Sequence, residues 1–375
     1  MARPQDPRDP FSSSRRSDAA TAALVGRVLT TLFQAAGRNP QAAFVFLLIA
    51  LAIVVLVVLT PLGWYAFQST ERKTEIREEL AVWREGNHPP DTAASLHSSG
   101  DRAEHGWHPA RQPVRLGEVL SDFWALYFSR SFVATSVVPE KDAPLFGGEP
   151  QRAGFPHEIR TLHNEAYLVG YCEELADPVW SAYRVYRIHG PPKIGHRPGS
   201  FFPDNRTKAR VQPGDYTGSG YDRGHMTPNY AIGSHFDRRA QEETFLLSNI
   251  VPQRHKLNAG LWANLEARVA DNYSGRFGQV WVITGPVFGP LDRVEKLRGK
   301  IASPRAFYTI IAQWHERGVR AEAFVVEQEV NSRGSFSPFL TTIADVERQT
   351  GLRFFPELDP AAHDKLAAQK PGSAW

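Results

Sequence analysis

Three segments in a fixed order constrain this chain more than any other feature. The first is Tyr221-Asp222-Arg223-Gly224-His225-Met226, the second the apolar stretch Thr244-Phe245-Leu246-Leu247-Ser248-Asn249-Ile250, and the third the run that Asn258 opens. The middle stretch is rich in strand formers and closed by Pro252, which predicts a short buried strand. Beyond it, Leu261, Trp262, Leu265 and Val269 recur at helical spacing, with Asn258 where an N-cap is expected. Glu266 lies roughly two helical turns after Asn258, so both side chains would project to one side. Strand, strand and helix are expected to converge on one place.

The residue types there suit attack of water on a phosphodiester. That reaction loads negative charge onto the phosphoryl and leaving oxygens, so it needs a base, a cation and fixed donors. His225 is the candidate base, because a neutral imidazole can take a proton near neutral pH. Asn258 offers a carbonyl oxygen to a hard cation, Mg²⁺ or alternatively Mn²⁺, that keeps most of its waters, and Glu266 would order those waters. Arg223 presents a planar fork matched to phosphate oxygens. Gly224 would let the backbone turn tightly and a phosphate come close. Taken singly, each has a plainer reading: a core histidine, a helix cap at Asn258, a solvated Glu266, a surface ion pair at Arg223, a turn partner at Asn249.

The run Asp215 to Met226 (DYTGSGYDRGHM), with Thr244 to Gln253 (TFLLSNIVPQ), Leu257 to Trp262 (LNAGLW) and Leu265-Glu266, resembles the DNA/RNA non-specific endonuclease family. These are ββα-metal, or His-Me finger, nucleases that include endonuclease G-like enzymes. Further similar segments are Tyr167 to Tyr171, Trp180 to Ile188, Arg197 to Phe202, Ile283 to Phe288 and Pro304 to Tyr308, so the resemblance spans residues 145 to 357. It implies an α+β fold with a central antiparallel sheet flanked by helices. It also implies His225 as general base, Asn258 as direct metal ligand, Glu266 as holder of metal-bound water and Arg223 as phosphate contact. Asn249 and Gln253 would be supporting polar groups, and Arg254 stands beside them as a candidate for substrate grip. Products would carry 5′-phosphate and 3′-hydroxyl ends. Two departures touch substrate grip: Tyr308 stands close to where many relatives carry a lysine, and Ala270 where some carry an arginine.

Other chemistries lack their residues. A single cysteine, Cys172, excludes a thiolate zinc site, and nothing beside it would lower its pKa. Neither a serine-hydrolase elbow nor a Walker loop is present. Trp281, Trp314 and Phe307 lie in strand-like runs and read as core. The net charge of +3 is matched by the first 40 residues alone, six arginines against three aspartates, so the remainder sums to zero. Any basic groove must therefore be local, with Arg206, Lys208, Arg210, Arg223, Arg254 and Lys256 as candidates. Contacts to phosphate rather than base edges would give little sequence preference on DNA or RNA. A 5′-exonuclease or small-nucleotide phosphodiesterase is the rival enzyme, and a membrane nucleic-acid receptor on the same fold is the rival outside enzymes. Expected partners are the DNA and RNA substrates and a lipid bilayer at residues 43–62, with a homodimer and an inhibitor protein as further candidates.

From Ala43 to Leu62 the chain carries no charge, and about twenty such residues match a bilayer's hydrocarbon thickness. The expected organisation is an Arg-rich cytoplasmic tail (1–40), one N-terminal transmembrane helix (41–67) and a stalk with flexible linker (68–112). A helical lead-in (113–144), the nuclease domain (145–357) and a loosely held C-terminal tail (358–375) follow. Arginines before the span put the amino end in the cytoplasm and the nuclease domain in a periplasm or beyond. A mitochondrial location is the alternative.

Overall fold

The computed structural model describes residues 114, 117–118, 121–122, 131–188, 196–330, 335–371 and 374–375. Cα packing divides the chain at residue 88, and the first unit, with the proposed span at 43–62, lies outside the described residues, as does the linker to residue 112. Among the described residues no helix is long and apolar enough to cross a membrane.

In chain order the strands are β1 (Gln151–Arg152), β2 (Arg160–His163), β3 (Tyr167–Cys172), β4 (Asp177–Tyr186), β5 (Asp222–His225), β6 (Ile250–Gln253), β7 (Gln279–Val287), β8 (Lys296–Leu297), β9 (Ile301–Ala302), β10 (Ala306–His315), β11 (Gly318–Glu327), β12 (Leu340–Thr341) and β13 (Leu352–Arg353). The helices are α1 (Asn229–His235), α2 (Arg238–Glu243), the helical run α3 over 257–277, α4 (Ile343–Thr350) and α5 (Pro360–Ala367). Seven strands form one antiparallel sheet in the order β12-β11-β10-β7-β4-β3-β2, with β5 and β6 as a separate ribbon. The expected α+β class and antiparallel sheet are what the chain forms.

Strands β7 and β10 are buried almost end to end because both faces of the sheet are covered, which is why they read as continuous apolar runs. Side chains alternate between two cores. On one face Trp180, Ala182, Trp281, Ile283, Tyr308 and Ile310 pack with Val346 of α4 and Leu366 of α5. On the other, Tyr183, Val185, Val282, Ile311 and Phe324 meet Ile232 of α1 and Leu265, Val269 and Tyr273 of α3. The second face carries the helix that bears Asn258 and Glu266.

Four sequence expectations need correction: residues 131–144 of the expected helical lead-in contain no helix, and Val133 there bridges Val319 of β11 instead. The strand foreseen over Thr244–Ile250 starts only at Ile250, because Leu247–Asn249 turns as a 3₁₀ segment. Pro252, read as a terminator, sits inside β6; a two-stranded ribbon leaves an open edge where its missing N–H costs nothing. The stretch after residue 357 is not loosely held: Leu358, Ala362, Leu366 and Ala367 are buried in the core. Trp375 donates its backbone N–H to buried Glu322 at 3.0 Å and lies under the Arg320 guanidinium, 4.4 Å from ring to Cζ.

Gly170 on β3 faces the Trp180 indole so closely that a Cβ there would lie 2.1 Å from Cε2 and Nε1. Gly170→Ala should therefore destabilise the domain by about 1–3 kcal/mol, the usual range for an overpacked core. A lowered denaturant midpoint with an unchanged m-value would show it.

Candidate active site

The ribbon aligns Asp222 with Gln253, Arg223 with Pro252, Gly224 with Val251 and His225 with Ile250. Alternation puts Arg223 and His225 on one face, and Asp222 and Gly224 on the other. Phe201 packs against both members of the first pair. Its ring lies 5.4 Å from that of His225 and 5.5 Å from the Arg223 guanidinium. Phe245 closes the other side of the imidazole edge-on at 4.9 Å. His225 is buried in this aromatic cleft, and its Nε2 has no hydrogen-bond partner. Burial, aided by the positive charge of Arg197, pushes its pKa down to about 3, so the ring is neutral over the physiological range.

Arg197 is the site residue that sequence reasoning did not single out. Its guanidinium stands 5.1 Å from the Phe245 ring, and its charge acts on His225 and Glu266 alike. The only signal was its place at the head of a segment similar to the family; arginine before proline has no distinctive pattern. Arg223 donates from Nη2 to the Pro213 carbonyl at 2.6 Å, which fixes the guanidinium while other N–H groups remain.

Helix α3 grips β5 at both ends. Asn258 Nδ2 donates to Asp222 Oδ2 at 2.9 Å, an oxygen that also lies 2.8 Å from His255 Nδ1. With its nitrogen so engaged, the Asn258 amide has its oxygen left to offer. At the other end Met226, next to His225, packs with Leu257, Leu261 and Trp262. Asn258 is not the N-cap expected from sequence. The helix starts at Leu257, Lys256 precedes it without a side-chain cap, and the Asn258 N–H bonds the Arg254 carbonyl. The first turn is π-type, with Gly260 outside helical angles, so simple 3.6-residue counting from Asn258 to Glu266 does not apply.

Glu266 lines a water-sized cavity of about 10 Å³ together with Met226, Tyr183, Thr284 and Thr309. It keeps a partly exposed face, yet burial of the carboxyl is the largest influence and pushes its pKa up to about 8. Trp262 and Arg197 pull it partway back, the indole without a hydrogen bond of good geometry.

Asn249 and Gln253, expected as supporting polar groups, act from inside the fold. Asn249 spends its amide on backbone: Oδ1 accepts from Thr227 N–H at 2.8 Å, and Nδ2 donates to the Thr227 and Thr244 carbonyls at 3.0 Å each. It therefore positions the end of β5 and is not a group facing the reaction. Gln253 is 0% exposed, so its side chain packs inside the fold. Its side chain crosses Gly224, where a Cβ would lie 2.4 Å from Oε1. Gly224 thus makes room for Gln253 within an extended strand, and the tight turn foreseen there is absent. Arg254 is half exposed, bonded to Glu329 at 2.9 Å and set against the Tyr221 ring at 4.2 Å.

His225 and Glu266 impose opposite trends with pH. An imidazole near 3 when folded and 6.5 when free leaves the unfolded chain holding the extra proton in between, so stability grows with pH across that window and is complete above it. A carboxyl near 8 when folded and 4.5 when free makes the folded chain the proton holder; its contribution is complete below 4.5 and is lost as pH climbs to 8. The slopes cancel between 4.5 and 6.5, and Glu266 alone acts from 6.5 to 8. In chelator, the thermal midpoint should fall from pH 6.5 to pH 8, and Glu266→Gln should flatten that fall.

Comparison with known proteins agrees with this geometry. A family profile described as DNA/RNA non-specific endonuclease matches residues 147–361. The chain is 31% identical over 252 residues to the mitochondrial nuclease EXOG of Xenopus laevis, covering 62% of this chain and 68% of that protein. Against the human mitochondrial nuclease EXOG it is 36% identical over 160 residues, 39% of this chain but 42% of that one. One chain of a solved EndoG/EndoGI complex superposes with a TM-score of 0.50 at 26% identity, covering 58% of this chain and 94% of that chain. With the ribbon, the helix and the profile coinciding over the same residues, the chain belongs to the DNA/RNA non-specific endonuclease family, a family of hydrolytic nucleases.

Proposed function

We propose that this domain hydrolyses internal phosphodiester bonds of DNA and RNA with little sequence preference, His225 taking the proton of the attacking water. The carrying observation is the imidazole itself: buried, neutral, held between Phe201 and Phe245, and on the strand face it shares with Arg223. A phosphodiester anion beside it would favour the imidazolium and raise its basicity when a proton must be accepted. Arg223, on the same strand face, would hold a phosphate oxygen with N–H groups not used on Pro213. Water oxygen bonds to phosphorus, its proton passes to the His225 imidazole, the P–O3′ bond breaks and the departing O3′ takes a proton from solvent, leaving 5′-phosphate and 3′-hydroxyl ends.

The donor set fits a hard divalent cation. Among the described residues no group of three His, Cys, Asp or Glu side chains forms a cage. One amide oxygen at Asn258 and a carboxylate at Glu266 suit Mg²⁺, which takes few protein ligands. Bound there, the cation would supply positive charge for the departing oxygen. Asp222 would hold the Asn258 amide in the orientation that presents its oxygen.

The apolar run at 43–62 supports a single membrane anchor, and the mitochondrial names of the relatives support the mitochondrial inner membrane as its site. Resistance of the full chain to alkaline extraction from membranes tests the anchor; release into the soluble fraction would remove it.

On supercoiled plasmid and on RNA, cleavage should need Mg²⁺ and stop in chelator. His225→Ala should lower it by about 10²–10⁴-fold, the usual share of a general base, while oligonucleotide binding persists. Asp222→Ala should raise the Mg²⁺ concentration needed for half-maximal rate by about 10–100-fold. Undiminished cleavage by His225→Ala would refute the assignment.

A further inference from the structure

Beside the ribbon lies a cavity of about 400 Å³, at the small end of the range for bound ligands. The loop entering β5 forms one wall, through Thr217, Ser219 and Tyr221; the β8–β9 hairpin forms the other, through Lys296, Arg298 and Ser303. None of these residues belongs to the catalytic group described above. Their chemistry is nevertheless selective. Two cations face a single lining carboxylate, Glu295, with the hydroxyls of Thr217, Ser219 and Ser303, the Tyr221 phenol, Gly218 and Leu297 around them.

The polar groups are held in place. Arg298 Nη2 donates to the Thr217 carbonyl at 2.7 Å, which ties the hairpin to the loop across the cavity. Lys296 Nζ donates to the Glu174 carbonyl at 2.7 Å. Each head group keeps further N–H donors, since an ammonium has three and a guanidinium five. The Tyr221 ring is backed by the Arg254 guanidinium at 4.2 Å, so its orientation is fixed. Ser219 Oγ donates to the Tyr216 carbonyl at 2.7 Å, which sets the hydroxyl beside it.

The position matters as much as the composition. Tyr221 leads directly into Asp222, the carboxylate that holds Asn258. Asp222 lies three residue steps after Ser219, a span of at most about 11 Å. That is roughly three nucleotide steps along a strand at about 3.4 Å of rise each.

We propose that this cavity is a nucleotide subsite for the bound strand, one to three positions from the scissile bond. Lys296 and Arg298 take the phosphate, and Tyr221 stacks on the base. A ring that stacks on any base and cations that hold any phosphate add grip without adding sequence preference. The inference rests on the nuclease reading of the neighbouring site and extends it to substrate length.

The test uses the full chain with Mg²⁺ and two substrates: a twelve-nucleotide single strand, and bis(4-nitrophenyl) phosphate, which has no flanking nucleotide. Lys296→Gln combined with Arg298→Gln should lower the long-to-short ratio of kcat/KM by about tenfold, through KM. The slope of log KM against log salt should drop by roughly 0.7–0.9 per cation removed, a change that a purely structural role would not produce. Tyr221→Ala should lower the ratio and Tyr221→Phe should preserve it. An unchanged ratio and slope, with the wild type cleaving both substrates, would overturn the subsite and leave the nuclease reading intact. Competition by 5′-AMP against the long strand in the wild type but not in the double variant would reassign the cavity to free nucleotides and overturn the strand form. Cleavage of neither substrate by the wild type would sink the nuclease reading, and this inference with it.

Discussion

The carboxylate of Asp222 is the pivot of this structure, because one of its oxygens serves Asn258 and His255 together and so ties the ribbon to the helix that faces it. A two-stranded ribbon has little stability alone. Here it is anchored by Asp222 at one end of β5, by Met226 in an apolar cluster at the other, and by Asn249 from the loop before β6. Backbone, apolar and charge-assisted contacts thus fix the same four residues from three directions. Positions of His225 and Arg223 follow from that, since strand alternation leaves their side chains no choice of face.

Electrostatics add a second layer. Arg197 sits where its charge opposes protonation of His225 and favours ionisation of Glu266, so one cation pushes the candidate base and the candidate water-holder in the directions a hydrolase needs. Burial works with Arg197 at the imidazole and against it at the carboxyl. The pair therefore has a large mismatch in proton affinity, a pattern that marks sites of chemistry more often than structural ion pairs.

How much of this was legible in the sequence depends on the range of the interactions involved. The ribbon, the helix after it and the apolar strands are local patterns, and the family resemblance supplied their assembly. Turn chemistry was harder: Leu247–Asn249 has strand composition but turns, because Asn249 finds backbone partners on both sides. The π-turn at Leu257–Trp262 could not be foreseen from spacing, since Gly260 permits angles that periodicity ignores. Gln253 was expected as a polar group around the site; the tertiary placement of its side chain over Gly224 has no sequence signature. Arg197 and the hold on Trp375 belong to the same class, long-range contacts made by residues that look ordinary in line.

The two apolar clusters on opposite faces of the seven-stranded sheet have a further bearing. The layer formed with α4 and α5 touches none of the groups assigned to hydrolysis, while the layer under α3 shares Leu265 and Val269 with the helix that carries Glu266. Change can accumulate in the first layer at the expense of thermal reserve alone. In the second, a lost methyl group would act on the platform that carries the Glu266 carboxyl, so the same alteration would reach the proposed site from one side of the sheet and not from the other.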